Sequence, residues 1–430
     1  MPGRPDHDHL GIDPRPDTKI RREFSHEPRP GIDPGGTFSL PLENVTGRFV
    51  SDNGTVTMRD VGFQFFGAPV QFEAGMVRVE DSGRFRLGVT GVWARDFRLD
   101  ARLSTIMPPV MAKFAQRFDE GTPLSTIKGN LGLNWPGPNQ PVACTWDHVL
   151  VVFNDNTVQS GVPLEHIQGQ LDHVRGQFDG DHLDIHGALK LDSVSLLGQQ
   201  VTELESPFQV AHDLARLDDI RGKLLGGELD GQFEVSLDST PRYAASLAVR
   251  GADLQSYAKT LSGRQTFRGL VFARLDFNGL GNDVRTLQGQ GSAEIIQGDL
   301  GELPVVLRLF NVLKQPTTKT AFDAAYVAIA IQNGESLLDP IKLTGNAISL
   351  LGRGKLDVRG DLDMRLKVIL GRDRIRVPIV SGVLREATGQ IFAIRVRGTP
   401  AYPKFMLEPL PTLSEIPKSI NNFRGPRERH

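Results

Sequence analysis

The amino-acid sequence predicts a mainly β protein, built from a long, curled, incompletely closed antiparallel β-sheet with a few short amphipathic capping helices. Two observations carry this prediction. Apolar and polar residues alternate in many runs, as in residues 229–237, where the odd-numbered positions are apolar or small. The 430-residue chain also contains 46 glycines without being of low complexity, and such glycines mark turns between short elements.

Each alternating run is interpreted as a strand with one apolar and one polar face. The longest run covers residues 356–368, and others cover residues 63–72, 76–89, 92–103, 183–191, 243–249, 271–277, 326–331 and 391–396. Parallel α/β sheets show continuous apolar strands separated by longer helical patterns, and this chain does not. The sequence therefore predicts a mainly antiparallel, meandering sheet.

Helical spacing of apolar residues occurs in three short segments, 105–118, 253–261 and 302–314. The third has a wide apolar stripe, and we expect it to cover the apolar sheet face as a lid. The lid residues are Val305, Leu309, Phe310 and Leu313. An ordinary helix that seals a closed core is the alternative.

Three short helices are too little cover for so many one-sided strands, so the sheet is expected to curl into a trough with an apolar floor. Internal glycines such as Gly231, Gly269, Gly291 and Gly360 would allow sharp coiling or bulges. A closed β-sandwich core is the alternative that the alternation leaves open. The residues predicted to line the trough are Phe233, Val235, Leu247, Val249, Val271, Leu275, Val358, Met364 and Leu366.

Composition and motifs argue against several classes of function. Lys plus Arg number 49 and Asp plus Glu 51, which gives no electrostatic reason to bind nucleic acid. The single Cys144 excludes a disulfide framework and a multi-thiolate metal site. His182 and His186 follow a strand pattern, in which they would lie roughly 13 Å apart, too far to share a metal ion. No nucleophile elbow, P-loop or HExxH motif occurs, so we expect neither enzymatic activity nor a cofactor.

The chain is expected to have four parts. Residues 1–40 are rich in proline and charge and are predicted to be disordered, as is the tail at 411–430. Residues 41–215 are interpreted as an N-terminal segment of the trough and residues 216–410 as a distinct C-terminal region. No run of 18 apolar residues and no apolar signal-peptide core occurs.

Glycine and proline positions in the C-terminal region follow a recognisable order. They begin with Gly226, Gly227 and Gly231, continue through FRGLVFARLDFNGLGNDVRTLQGQG, and end in VRGTPAYPKFMLEP. Over roughly the last 200 residues this order resembles the C-terminal region of AsmA-like proteins, which are related to bridge-like lipid transfer proteins. No one of these motifs is specific alone.

The resemblance implies a non-enzymatic protein of the bacterial envelope or periplasm with a long β-groove, and a phospholipid or another acyl lipid as its partner. Family members usually begin with a membrane anchor. We therefore expect a longer protein, a different start, or a separate membrane-anchored partner. The alternatives are an envelope scaffold or outer-membrane assembly factor with a closed, dry β core, an outer-membrane barrel, and a secreted glycan enzyme. The few Trp and Tyr residues argue against the last two.

Overall fold

The computed structural model describes residues 31–32, 38–39, 42–80, 84–99, 102, 112–113, 115–119, 121–137, 140–160, 162–196, 198–257, 268–299, 322–345, 348–370, 393–399 and 403–408. This part of the chain is mainly β, as predicted, and its described ladders are antiparallel. Strands β1 (Gly31–Ile32) and β2 (Phe38–Ser39) pair with each other. The predicted lid helix at 302–314 and the tail at 411–430 lie outside the described residues.

The chain divides into two compact units. Unit 1 comprises Met1–Ala252 and Arg274–Leu287, and unit 2 comprises Asp253–Ala273 and Gln288–His430. The boundary expected between residues 215 and 216 lies inside a strand of unit 1, Leu214–Leu224.

Unit 1 contains a meander in which each strand pairs with the next one along the chain. Two of its strands have 17 and 18 residues, well beyond the usual strand length. The strands are β3 (Leu42–Asp52), β4 (Thr55–Phe65), β5 (Ala68–Val79), β6 (Phe85–Phe97), β7 (Leu124–Trp135), β8 (Ala143–Ser160), β9 (Val162–Phe178), β10 (Leu183–Leu196), β11 (Gln199–Ala211), β12 (Leu214–Leu224), β13 (Gly227–Ser236) and β14 (Arg242–Asp253).

Unit 2 continues the same pattern, and its ladders from β16 to β22 are again antiparallel between neighbours. Strand β15 (Arg268–Leu280) contributes residues to both units. The remaining strands are β16 (Gln288–Asp299), β17 (Ala324–Gln332), β18 (Glu335–Thr344), β19 (Ile348–Leu356), β20 (Leu362–Leu370), β21 (Ala393–Gly398) and β22 (Pro403–Glu408).

The described helical residues are few. Asp253 begins a short helical turn at 254–257, because its carboxylate accepts hydrogen bonds from the backbone N–H groups of Gln255 and Ser256, both at 3.1 Å. Residues 112, 113 and 115 are also helical, within the segment predicted at 105–118. A 3₁₀ turn at Val284–Thr286 was not predicted.

The prediction of one long strand over residues 356–368 is wrong. Strand β19 ends at Leu356, and β20 begins at Leu362. Between them the Asp357 carboxylate accepts hydrogen bonds from the backbone N–H groups of Arg359 and Asp361, both at 2.9 Å, which stabilises a tight turn. Val358 lies in this turn and is 49% exposed, so its predicted place on the apolar face is also wrong.

Candidate functional site

The apolar face of unit 1 is the candidate site. Residues directly opposite each other in a ladder point to the same face. Leu229 is paired with Val249, and Gly231 with Leu247. The predicted residues Phe233, Val235, Leu247 and Val249 therefore share one face with the buried Leu229.

The opposite face of the same strands is polar. The Arg250 guanidinium contacts the Asp230 carboxylate at 2.6 Å and the Glu228 carboxylate at 3.6 Å. Glu234 pairs with Arg216 at 3.5 Å on the neighbouring strand β12. The alternation of the sequence thus separates an ionic face from an apolar face, as predicted.

Much of the apolar face of unit 1 is only partly covered. It carries three apolar clusters, and in each the half-buried members outnumber the buried ones, fourteen to seven, five to four and six to three. The largest cluster spans β6 to β14 and has as its buried members Leu124, Phe153, Ile167, Leu191, Val194, Val201 and Leu229. A sealed core would bury most of these side chains, so this face combines apolar character with partial solvent access.

A row of irregular residues crosses unit 1 from β3 to β9. The ladders β3–β4, β6–β7, β7–β8, β8–β9 and β9–β10 shift register along this line. The residues at these positions have positive φ, namely Gly47 (148°), Asp60 (51°), Gly91 (68°), Gly129 (152°), His148 (50°) and His173 (52°). We call them the bulge row. Because bulges bend strands and increase their twist, the bulge row favours curling of the sheet.

Gly129 shows why the bulge row requires glycine at some positions. A Cβ at Gly129 would lie 2.6 Å from a methyl carbon of Val149 and 3.2 Å from the carbonyl oxygen of Asp147. The positive φ of Gly129 adds a conformational penalty for other residues. Asp60, His148 and His173 occupy the same row without glycine, and Asp and His are among the residue types that tolerate positive φ best.

A second set of irregular residues lies on β8 to β11. Asp155, His166 and Glu203 have φ values of 66°, 53° and 50°, close to register shifts in the ladders of their strands. His166 Nδ1 lies 2.7 Å from Asp155 Oδ1, and this hydrogen bond raises the pKa of His166. Both side chains are exposed, so the pair contributes little to stability.

The segment before β7 shows how strongly this sheet curls. The Gln159 N–H of β8 donates to the Arg117 carbonyl at 2.8 Å, and Asp119 N–H donates to the Thr157 carbonyl at 3.0 Å. The same Arg117 donates from Nη2 to the carbonyl of Ser236, at the end of β13, at 2.8 Å. In a flat sheet β8 and β13 would be about 24 Å apart, farther than an arginine side chain reaches. The predicted curl is therefore confirmed for this part of unit 1.

Two further contacts hold the segment before β7 against β8. The Phe118 ring stacks on the buried Phe153 ring, with centroids 6.2 Å apart. Asn156 of β8 is 1% exposed, and its side-chain amide donates to the carbonyl oxygens of Thr122 at 3.1 Å and Pro123 at 3.3 Å. Its side-chain oxygen accepts from the Asn154 N–H at 2.9 Å. Asn156 thus satisfies three backbone groups at this crossing.

The other predicted face residues lie on β15 and in unit 2. Val271 and Met364 pack against the apolar cluster of unit 2, and Leu366 is 2% exposed within it. Leu275 lies two residues before Phe277 on β15, and the Phe277 ring contacts Tyr243 with a centroid distance of 6.4 Å. The structure thus distributes the predicted set over a half-exposed face in unit 1 and a more deeply buried cluster in unit 2.

Burial and hydrogen bonding shift the pKa of two titratable groups on the described strands. Burial raises the pKa of the Cys144 thiol, which packs in an apolar cluster beside Trp146. The Ser246 hydroxyl donates to the Asp276 carboxylate and lowers its pKa. Over the described ranges, no three His, Cys, Asp or Glu side chains converge as a metal site. No described helix is both long and apolar enough to cross a membrane.

Sequence reasoning missed the bulge row, although β6 carried a signal for it. Apolar residues occupy odd positions at Phe85, Leu87 and Val89, and then even positions at Val92 and Ala94. This change of phase marks the bulge at Gly91.

Comparison of the chain with models of protein families, with curated proteins and with solved structures finds no match.

Proposed function

We propose that this chain is a non-enzymatic lipid-binding protein of the cell envelope, whose apolar sheet face holds the acyl chains of a phospholipid and conducts it between inner and outer membranes. The observation that carries the proposal is the apolar face of unit 1, where half-buried apolar side chains outnumber buried ones in every cluster. A continuous, partly accessible apolar surface is what an acyl chain requires.

An apolar surface of this kind is sufficient to assist lipid transfer, because the main cost of transfer is the exposure of the acyl chain to water. Each CH₂ group moved into water costs about 0.8 kcal/mol, so a tail of fifteen such groups faces on the order of 12 kcal/mol. A protein that covers the tail lowers this barrier without any catalytic group. The 18 residues of β8 extend over about 59 Å at 3.3 Å per residue, which provides ample length for one acyl chain.

The family and the location are parts of the same proposal. The glycine and proline order of the C-terminal region, which resembles AsmA-like proteins, supports membership of that family and a place in the envelope. The antiparallel meander and the curl in unit 1 suit a β-groove of this kind. A separate membrane-anchored partner would supply attachment to the inner membrane.

A second candidate is an envelope scaffold or assembly factor with a dry core. Unit 2 favours it, because Phe322, Val368, Ile394 and Val396 of its apolar cluster are 0% exposed. A face packed this tightly excludes an acyl chain. In our proposal the lipid therefore occupies the face of unit 1.

Native mass spectrometry of the full chain tests the proposal. We expect mass adducts of phospholipid size on the protein purified without detergent. After delipidation we expect the same stoichiometry to return on incubation with dioleoylphosphatidylglycerol vesicles. A folded chain that carries no lipid before or after incubation would support the dry scaffold instead.

A further inference from the structure

The polar face of β18 to β22 in unit 2 is strongly basic. Register places its residues side by side, with Lys342 opposite Leu351 and Leu351 opposite Lys367. Arg353, Arg365 and Arg395 form a second row across β19, β20 and β21. Eight cations share this surface, which we call the basic face: Lys342, Arg353, Lys355, Arg365, Lys367, Arg395, Arg397 and Lys404.

Half of these cations have a carboxylate partner. Asp363 binds Arg395 at 2.8 Å and also lies 3.5 Å from Arg397. Glu408 lies 3.1 Å from Arg365, and Lys355 lies 3.8 Å from Glu335. Among the described residues, the other four have no ion-pair partner, and they are Lys342, Arg353, Lys367 and Lys404.

The polar face of β10 to β14 in unit 1 differs in this respect. There Lys223 pairs with Glu203 at 2.6 Å, and Arg216 pairs with Glu234 at 3.5 Å. Arg250 pairs with Asp230 at 2.6 Å, while Lys190 lies 3.8 Å from Asp172. Because that face balances its cations locally, unpaired cations are not a general property of the polar faces of this sheet.

Large apolar side chains are exposed among these cations. Leu337, Leu351, Ile369 and Met406 are 39–45% exposed. Leu351 lies directly between Lys342 and Lys367, and Met406 lies opposite Arg395. An anionic bilayer surface suits both the cations and the exposed apolar side chains, since its headgroups attract cations and its acyl boundary accepts apolar side chains. A nucleic acid would use the cations alone or with aromatic stacking platforms.

We propose that the basic face docks unit 2 on the surface of a bilayer that contains anionic phospholipid. The cations draw the protein to the headgroups, and Leu351 and Ile369 enter the interface between headgroups and acyl chains. This surface shares no residue with the apolar face of unit 1. The docking proposal can therefore be correct even if the chain takes up no lipid, and lipid uptake can occur even if the basic face does not bind a bilayer.

Vesicle co-sedimentation of the full chain tests the docking surface. We expect binding to vesicles of 30% phosphatidylglycerol in phosphatidylcholine, little binding to pure phosphatidylcholine, and weaker binding as salt rises. The double variant Arg353→Gln, Lys367→Gln should bind about 25-fold more weakly, at about fivefold for each cation lost. The matched control Arg175→Gln, Lys190→Gln removes two cations from β9 and β10 of unit 1 and should bind like the unaltered chain.

A second variant separates a bilayer from a soluble polyanion. Leu351→Ser, Ile369→Ser keeps all eight cations and should lose vesicle binding at 0.3 M salt, where the apolar contribution remains. Equal binding to phosphatidylcholine vesicles would overturn the proposal. Equal effects of the test and control variants would also overturn it, and so would heparin binding of matching strength that the Ser variant leaves unchanged.

Discussion

Asn156 is predicted to be a main stabilising residue of unit 1. The variant Asn156→Ala leaves the Asn154 N–H and the carbonyl oxygens of Thr122 and Pro123 without their side-chain partner. An unsatisfied, partly buried backbone group costs about 1–3 kcal/mol, so we expect a loss of about 2–4 kcal/mol in the free energy of unfolding. The reduction should be accompanied by looser packing of the segment before β7.

Guanidinium denaturation followed by tryptophan fluorescence measures this loss. All three tryptophans, Trp93, Trp135 and Trp146, belong to unit 1 and report its unfolding. We expect the midpoint to fall by roughly half a molar to one molar. Asn154→Ala is the matched control, because its side chain is exposed on the same strand, and its midpoint should stay within error. Equal midpoints for the two variants would refute the role assigned to Asn156.

Three further predictions follow. Leu247→Asp should abolish phospholipid binding and preserve the β circular-dichroism signal, whereas Val358→Glu, at an exposed turn position, should leave both unchanged; equal loss of binding in the two variants would contradict the face assignment. The hydrogen bond from Ser246 lowers the pKa of Asp276, so this stabilisation is lost as pH falls below about 4. The unfolding midpoint of the unaltered chain should then drop more than that of Asp276→Asn, and parallel pH curves would exclude the effect. Because burial raises the pKa of Cys144, its reaction with a disulfide reagent at pH 8 should be much slower in the folded chain than in guanidinium, and equal rates would show an open thiol.

Strand faces were predictable because side chains alternate strictly along a strand. The parity of Leu229, Phe233 and Val235 alone places them on one side of β13. The same rule failed at Val358. The five-residue turn from 357 to 361 has an odd length, so the apolar residues on either side keep their parity as if one strand continued.

The sequence predicted that the sheet curls, but it did not predict at which residues the strands bend. Of the glycines expected to allow coiling, Gly269 has a φ of 143°, and Gly360 lies in a turn with a φ of 82°. Gly291 belongs to a regular ladder. The bulge row depends instead on single-residue register shifts between neighbouring strands, and these depend on pairing partners distant in sequence.

Local sequence patterns also could not predict the contact between the segment before β7 and the end of β13. Arg117 reaches a carbonyl 119 residues later in the chain, and no periodicity encodes such a contact. The basic face was hidden for a related reason. Its cations belong to five strands, none of which carries more than two of them, and only the register brings them together.

Photo-crosslinking with a diacyl phospholipid that carries a diazirine at the end of one tail tests the central claim most directly. The full chain is loaded, irradiated and digested, and the crosslinked residues are identified by mass spectrometry. The account predicts crosslinks at residues of the apolar face of β13 and β14, such as Phe233, Leu247 and Val249, and none at their polar neighbours Glu234 and Arg250. Crosslinks confined to the polar face, or no crosslink from a folded chain, would contradict it.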